Sequence, residues 1–228
     1  MVRIARPDAP AGLLRRQAAW TDRWRAIREG ALQGEWATTS AKKLLREALL
    51  PVAHGKCAFC ESTLGVTSYP EIEHYAAKTL APNLCFEWTN LLPACRRCNG
   101  AKADQEHRGV LLKPDSEDPE PFFWIDPGSG KLEPHPNLNE EGKRRAEETI
   151  RICNLQRGPL CVKRAETLVR VGRWLRSVAA EGLTVELRQQ WGEIAHPATE
   201  YKLVVRWMLD LAGLPLLAGE DRRRFQGR

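Results

Sequence analysis

Hydrophobic residues recur at a helical period in the first part of the chain. Between residues 12 and 30, leucine, tryptophan and isoleucine side chains are spaced for one face of a helix, and the arginines fall mostly on the other faces. A second helix is predicted to begin at the hydroxyl-rich positions 38–40, whose side chains can cap it, and to end at Pro51. The N-terminal region is therefore expected to be helical.

The same period returns in the C-terminal part of the chain. Asn139 can cap one helix, and another is predicted after Pro159, where the apolar positions form one stripe. A last helix is predicted from near Thr199 until Gly213 and Pro215 end it.

The helical period disappears between Cys57 and Asp104, where turn residues, cysteines and a short strand-like segment at 71–75 take its place. Residues 113–138 then contain six of the 15 prolines, with a predicted hairpin around Asp126–Gly130. This proline-rich stretch is the best candidate for a boundary between the cysteine-rich segment and the C-terminal helices.

The charge of the chain is moderately basic. It has 35 Lys and Arg against 29 Asp and Glu, a net charge of +6 and a pI near 9.0, which favours a polyanionic partner. The N-terminus shows no charged-then-apolar leader, and the apolar runs are far shorter than the ~18 residues that a membrane span requires. We therefore expect a soluble cytoplasmic protein with no membrane contact.

Four of the seven cysteines form two CxxC pairs, Cys57–Cys60 and Cys95–Cys98. In a reducing compartment such pairs indicate a metal more often than a disulfide, and each pair can present two thiolates to one tetrahedral Zn²⁺. Four unrelated core thiols and redox pairs are the alternatives, although the second pair does not open a thioredoxin-like βαβ unit. The other cysteines are predicted to be buried core residues: Cys85, Cys153 and Cys161.

Four short motifs follow one another in this segment: CxxCE from Cys57, IEHY around His74, WxNLL around Asn90 and CxxCNxxK from Cys95. Their order and spacing resemble the HNH endonuclease motif, in its zinc-bearing form with asparagine in the third position. The resemblance covers Cys57 to about Asp104. It implies an α+β fold: a small ββα-metal unit of treble-clef type, stapled by structural zinc and flanked by several α-helices.

The resemblance also implies a role for individual residues. Hydrolysis of a phosphodiester needs an activated water and a cation near the developing charge. His74 would be the general base, since an imidazole can accept a proton near neutral pH. Glu73, where the family more often has aspartate, should point to the opposite face of the strand. Glu73 would share a catalytic Mg²⁺ or Mn²⁺ with Asn99, expected where a helix opens after the second cysteine pair, and Asn90 would orient the histidine.

Four basic residues are the candidate substrate-binding residues: Lys78, Lys102, Arg96 and Arg97. Lys102 follows the metal-binding asparagine by three residues, and it either contacts a phosphate or is simply exposed to solvent. The two arginines between the paired cysteines face the same alternatives. The role of Lys78 stays open, because the residue before it departs from the family pattern.

Beyond the motif, residues 141–164 resemble the helical part of HNH nucleases of the Septu type. Those nucleases are bacterial anti-phage effectors that work beside an ABC-type ATPase, so the resemblance implies DNA and an ATPase subunit as partners. Six tryptophans in the helical flanks agree with a protein partner. Packing of these helices onto the core is the alternative explanation for most of them.

We divide the chain into an N-terminal helical region (1–52), an HNH core with both cysteine pairs (53–112), a proline-rich connector (113–138) and a C-terminal helical region (139–228). The expected function is hydrolysis of DNA in phage defence. Three alternatives remain open: a non-catalytic zinc module that docks nucleic acid or a partner, a subunit whose site is latent until assembly, and a stand-alone restriction-type nuclease.

Overall fold

The fold is α+β, as predicted from the sequence, with many helices and two small sheets. The computed structural model describes residues 1–65 and 70–213. Pro215 and the rest of 214–228, which belong to the predicted C-terminal region, lie outside the described residues. Within those ranges, none of the helices combines the length and the apolar character that crossing a lipid bilayer requires.

The N-terminal region forms helices α1 (Ala11–Leu14), α2 (Gln17–Arg28) and α3 (Thr39–Leu49). The single helix predicted for residues 12–30 is therefore interrupted between α1 and α2. The predicted cap of α3 is confirmed, because the Thr38 hydroxyl accepts the N–H of Ala41 and satisfies a donor that the helix leaves open.

The predicted strand is β1 (Glu71–His74), which pairs antiparallel with β2 (Leu91–Ala94). Helix α4 (Arg96–Lys102) follows β2 directly and packs on β1. The expectation that Asn99 opens this helix is wrong. The helix begins at Arg96, because the Cys95 sulfur caps it by accepting the N–H of Cys98, and this places Asn99 in its middle.

The connector contains the predicted hairpin, β3 (Phe123–Ile125) with β4 (Leu132–Pro134). Gly130 has φ +69°, and a Cβ at this position would lie 2.2 Å from the carbonyl oxygen of Cys161. Only glycine therefore allows the hairpin to approach the helix that carries Cys161 so closely.

Four helices complete the described chain: α5 (Glu140–Ile152), α6 (Gly158–Glu181), α7 (Val185–Ile194) and α8 (Lys202–Leu211). The Asn139 cap and the helix start near Pro159 are as predicted. The sequence analysis missed α7, a short helix between two turns. The last helix begins later than the predicted Thr199.

The larger hydrophobic core includes side chains from all four predicted regions of the chain. It packs the N-terminal helices, the β1–β2 pair, the β3–β4 hairpin and the C-terminal helices against one another. A smaller cluster joins α6, α7 and α8 through residues such as Trp174, Leu187 and Leu209. The short β1–β2–α4 unit is therefore held in place by helices on both sides of it in the sequence.

Candidate metal centre and catalytic site

The two cysteine pairs converge on one point. The sulfur atoms of Cys57, Cys60, Cys95 and Cys98 all lie within 4.8 Å of one another, and those of Cys60 and Cys95 are 3.8 Å apart. Tetrahedral zinc with Zn–S bonds of about 2.3 Å needs sulfur atoms about 3.8 Å apart. The predicted four-cysteine cluster is confirmed as a group that could hold a metal ion such as zinc. The three remaining cysteines are buried, as predicted.

Arg157 at the start of α6 reaches the second cysteine pair, a contact that the sequence analysis missed. Its guanidinium donates to the sulfurs of Cys98 at 3.5 Å and Cys95 at 3.8 Å, and to the Asn154 carbonyl at 2.9 Å. Burial alone would lower the pKa of Arg157, but the charges of Cys98 and Cys60 raise it above its ordinary value. The arginine therefore offsets part of the negative charge that a four-thiolate metal centre carries.

The residues that follow the first cysteine pair form hydrogen bonds with the segment that leads into α8. The Ser62 hydroxyl lies 3.2 Å from the hydroxyl of Tyr201, and the N–H of Thr63 donates to the Glu200 carboxylate at 2.6 Å. Glu61 accepts the N–H of Leu203 at 3.1 Å. The two cysteine pairs are thus tied to different helices of the C-terminal region, the first to α8 and the second to α6.

His74 ends β1 and is only 6% exposed. Its Nε2 lies 3.0 Å from the Cys85 carbonyl, which can only accept, so Nε2 carries the proton and Nδ1 is left as the acceptor. The Trp36 ring stands edge-on to the imidazole, with centroids 4.8 Å apart. Burial lowers the pKa of His74 to about 3, with a further contribution from Lys78. The imidazole is therefore neutral in this conformation and shielded from water.

Asn90 lies immediately before β2 and fixes the loop that follows His74. Its Oδ1 accepts the Ala76 N–H at 2.7 Å, and its Nδ2 donates to the carbonyls of Ala76 and Leu84, each at 3.0 Å. The side chain is buried, so all three bonds are formed away from solvent. They leave no role for this amide as a metal ligand in this conformation.

Glu73 forms a buried ion pair with Lys102. The Nζ of Lys102 lies 2.9 Å from Oε1 of Glu73, in an ion pair whose geometry falls short of a well-aligned hydrogen bond, and Nζ also donates to the His74 carbonyl at 2.9 Å. The two side chains are 2% and 1% exposed. Burial raises the pKa of Glu73 to about 7, although Lys102 opposes the rise.

The structure corrects the expectation for Lys102, which neither contacts solvent nor is available to a phosphate. The reason is its place on α4, whose inner face packs on β1 beside the Glu73 carboxylate. Arg96 and Arg97, on the first turn of the same helix, are exposed. Lys78 is 24% exposed and its Nζ lies 3.6 Å from the Asp104 carboxylate.

Asn99, predicted to share a metal ion with Glu73, contacts the carboxylate of Glu71. Its Nδ2 donates to Glu71 Oε2 at 2.5 Å, one turn of α4 before the Glu73–Lys102 pair. Glu71 and Glu73 lie on the same face of β1 because side chains alternate along a strand, and that alternation could have identified Glu71 from the sequence. Among the described residues, the four cysteines are the one group of three or more His, Cys, Asp and Glu side chains close enough together to hold a metal ion.

Comparison with known proteins gives two relatives, both called Septu protein PtuB. The protein from Bacillus thuringiensis is 35% identical over 109 residues, which cover 47% of this chain and 39% of that protein. The protein from Bacillus mycoides is 32% identical over 159 residues, covering 56% of this chain and 50% of that protein. No protein-family model matches the chain. The predicted resemblance to the Septu group is confirmed, and the matches span half or less of these relatives.

The buried ion pair yields a stability prediction. Replacing Lys102 by methionine leaves the Glu73 carboxylate buried without its partner, so the free energy of unfolding should fall by about 3–5 kcal/mol in urea denaturation at neutral pH. The double variant Glu73→Gln/Lys102→Met should recover most of the loss. Lys43→Met, which removes an exposed pair with Glu47, should change stability by less than about 0.5 kcal/mol. A double variant no more stable than Lys102→Met alone would contradict this account.

The contacts of Arg157 yield a prediction about metal retention. Arg157→Gln removes the positive charge next to Cys95 and Cys98, so zinc affinity should fall by about 10- to 100-fold, measured by competition with a chromogenic chelator. Arg151→Gln is the matched control, because that arginine pairs with Glu148 on the exposed side of α5. Equal zinc affinity in both variants would show that the guanidinium does not support the centre.

Proposed function

We propose that this chain is a metal-dependent endonuclease of the HNH type that hydrolyses phosphodiester bonds in DNA. We further propose that it serves as the effector of a bacterial anti-phage system of the Septu kind, together with an ABC-type ATPase. The similarity to Septu protein PtuB supports the cellular context. The catalytic assignment is supported by the site itself.

One observation carries the catalytic proposal. The two cysteine pairs flank β1 and β2 in the sequence, and the second pair extends into α4. Together with the turn before β2, these elements bring His74, Asn90 and Asn99 into one unit. A zinc module that only docks nucleic acid has no need of a histidine whose tautomer is fixed by a backbone carbonyl. A general base does need that feature, because one ring nitrogen must be held unprotonated.

In the proposed reaction, Nδ1 of His74 accepts a proton from the water that attacks phosphorus. The Cys85 carbonyl holds Nε2–H and keeps Nδ1 free, while Asn90 and Lys102 fix the backbone on either side of the imidazole. The exposed Arg96 and Arg97 are placed on the surface, where they can bind the phosphate backbone without reading bases.

A catalytic Mg²⁺ or Mn²⁺ would be held by oxygen atoms on the face where β1 meets α4. The oxygen atoms there suit a hard cation, because the Asn99 amide lies beside Glu71 and the Glu73 carboxylate follows two residues later on the same face of β1. Such a cation stabilises the negative charge that develops on the phosphate during hydrolysis. Glu73 would have to leave Lys102 to bind it, whereas Glu71 already contacts Asn99.

The burial of His74 supports a second form of the proposal, in which the isolated chain is latent. A base whose conjugate acid has a pKa near 3 accepts a proton poorly, and Trp36 covers the ring. Exposure would return the pKa of the imidazole towards its ordinary value of about 6.5. Activity therefore requires the loop that carries Trp36 to move, and a partner or substrate must stabilise the open form.

The first test is cleavage of supercoiled plasmid with Mg²⁺ or Mn²⁺, with and without a candidate ATPase partner. The wild type should nick or linearise the DNA, EDTA should stop it, and His74→Ala should lose about 10²- to 10⁴-fold in rate. His135→Ala is the matched control, since His135 lies by the hairpin next to Trp124 and outside the site. Cleavage that persists in His74→Ala would exclude this mechanism.

The same assay distinguishes the two carboxylates. Glu71→Gln and Glu73→Gln are compared at several Mn²⁺ concentrations. The carboxylate that binds the cation should be the one whose substitution raises the Mn²⁺ concentration needed for cleavage.

The plasmid assay also tests latency. Wild-type cleavage that occurs only when the ATPase is added supports the latent form of the proposal.

The Trp36 contact yields a separate prediction about access to His74. Trp36→Ala should accelerate acylation of His74 by diethyl pyrocarbonate, followed by mass spectrometry of the peptide that contains it, because the ring no longer shields the imidazole. Trp20→Ala is the control, since the Trp20 ring packs on Phe86, with ring centroids 5.3 Å apart, and has no ring contact with His74. Equal acylation rates in wild type and Trp36→Ala would mean that another segment closes the site.

A further inference from the structure

A cavity of about 240 Å³ lies on the side of the first cysteine pair that faces the C-terminal helices. It is bounded by the N-terminal segment, the turn around His54, the segment at 195–197 after α7 and the inner face of α8. Its lining carries four positive side chains and one carboxylate, namely Arg3, Lys56, Lys202, Arg206 and Glu61. Neither His74 nor Asn99 lines it, so it is separate from the proposed catalytic site.

The positive side chains of this cavity outnumber its one carboxylate even when Lys202 is left out. Its one carboxylate, Glu61, already lies 3.5 Å from the N-terminal ammonium of Met1, which is a further positive charge. Lys56, which is 4% exposed, donates to the carbonyls of Pro197 at 2.8 Å and Thr199 at 2.9 Å, and these neutral acceptors leave its charge in place. An ammonium has three N–H donors, so two carbonyls do not exhaust this group.

Arg206 contributes a second incompletely satisfied cation. Its NH1 pairs with Glu120, which does not line the cavity, while its Nε is buried and has no hydrogen-bond partner within the described residues. Buried polar atoms without a partner are rare in folded proteins, and each suggests a missing acceptor. An oxygen atom of an anion in the cavity is the acceptor that this chemistry calls for.

The titration of His54, at the turn that bounds the cavity, agrees with crowded positive charge. The pKa of His54 is lowered by burial and then by Lys56, His196 and Lys202. This histidine is therefore harder to protonate than usual.

A second cavity shows that this imbalance is not general. The cavity of about 940 Å³ between α6 and α7 also contains two arginines, Arg170 and Arg173, but Glu166 and Glu193 line it with them. Its formal charges cancel. The small cavity beside the cysteines therefore differs from this one in the sign and the excess of its charge.

We propose that the small cavity is a binding site for a phosphate group. Its volume exceeds the ~30 Å³ share of a single water several-fold, which leaves room for a tetrahedral oxyanion. Arginine and lysine donors around a phosphate form charge-assisted hydrogen bonds. Helix α8, ten residues long, begins at Lys202 on the cavity wall and adds the positive end of its dipole.

The test is calorimetric titration of the full chain at constant ionic strength with three probes: inorganic phosphate, ATP without metal, and a short oligodeoxynucleotide. At least one probe should bind saturably, and the probe that binds identifies whether the phosphate is free, on a nucleotide or in a nucleic-acid backbone. Arg206→Gln and Arg3→Gln should each weaken that binding by about tenfold, the effect of one lost charge-assisted hydrogen bond.

Arg170→Gln is the matched control, because it removes an arginine from the balanced cavity, and it should leave the affinity unchanged. Arg3 is exposed, so its substitution tests the site without disturbing the core. Absence of saturable binding by all three probes would overturn the proposal, and so would binding that Arg206→Gln and Arg3→Gln leave unchanged. Neither result depends on nuclease activity, so the cavity and the proposed function can fail independently.

Discussion

Four sulfur atoms from two separate segments must meet within 4.8 Å, and the rest of the site depends on that convergence. Cys95 joins β2 to α4 and also caps α4, so the position of the helix relative to the β1–β2 pair is set at the cluster. The first pair, Cys57 and Cys60, is separated from Cys95 by 34 intervening residues. Without a bond between the pairs, closing so long a loop would have to rest on the packing of a few short elements.

The cluster is also where the C-terminal helices attach. Arg157 at the start of α6 contacts one cysteine pair, and Tyr201 before α8 contacts the loop of the other. These contacts connect the cysteine cluster to three parts of the chain, so a change at the cluster also affects α6 and α8. The larger hydrophobic core runs through the same three parts, which makes local opening of the site costly unless another interaction stabilises it.

The sequence allowed the local features to be predicted and not the distant contacts. The caps at Thr38 and Asn139, the strand at 71–74 and the hairpin near Gly130 have short-range signals, and all of them are present. The convergence of the paired cysteines was also predictable, because CxxC spacing lets each pair present two thiolates to one metal ion.

The features that the sequence analysis missed or predicted wrongly have physical explanations. Arg157 acts on cysteines some 60 residues away, and α7 is short enough for its period to be ambiguous. Lys102 was expected at the surface because lysine is rarely buried, and only the position of Glu73 on the neighbouring strand explains its burial. The pairing of Asn99 with Glu71 likewise depends on how the helix crosses the strand.

The buried Glu73–Lys102 pair contacts the backbone of His74, the proposed base. The energetics of the pair therefore bear on how His74 is positioned. A buried ion pair is weak evidence for stability, since apolar residues of similar size often do as well. Lys102 also holds the backbone carbonyl of His74, so the pair positions the histidine from behind while Asn90 fixes the loop in front. In this account the ion pair orients His74 more than it stabilises the fold.

Within the proposed function, the buried His74 represents the closed form of the site, which is in equilibrium with an open form. A ligand can shift an equilibrium between closed and open forms only by its difference in affinity for the two. Opening here breaks the Trp36 contact and returns a neutral imidazole to water, so whatever opens the site must bind the exposed surfaces better than the closed chain does. Within the proposed function, DNA bound at the exposed arginines of α4 and a protein partner on the helical flanks would each have to meet that condition, and acting together they would confine cleavage to the assembled complex.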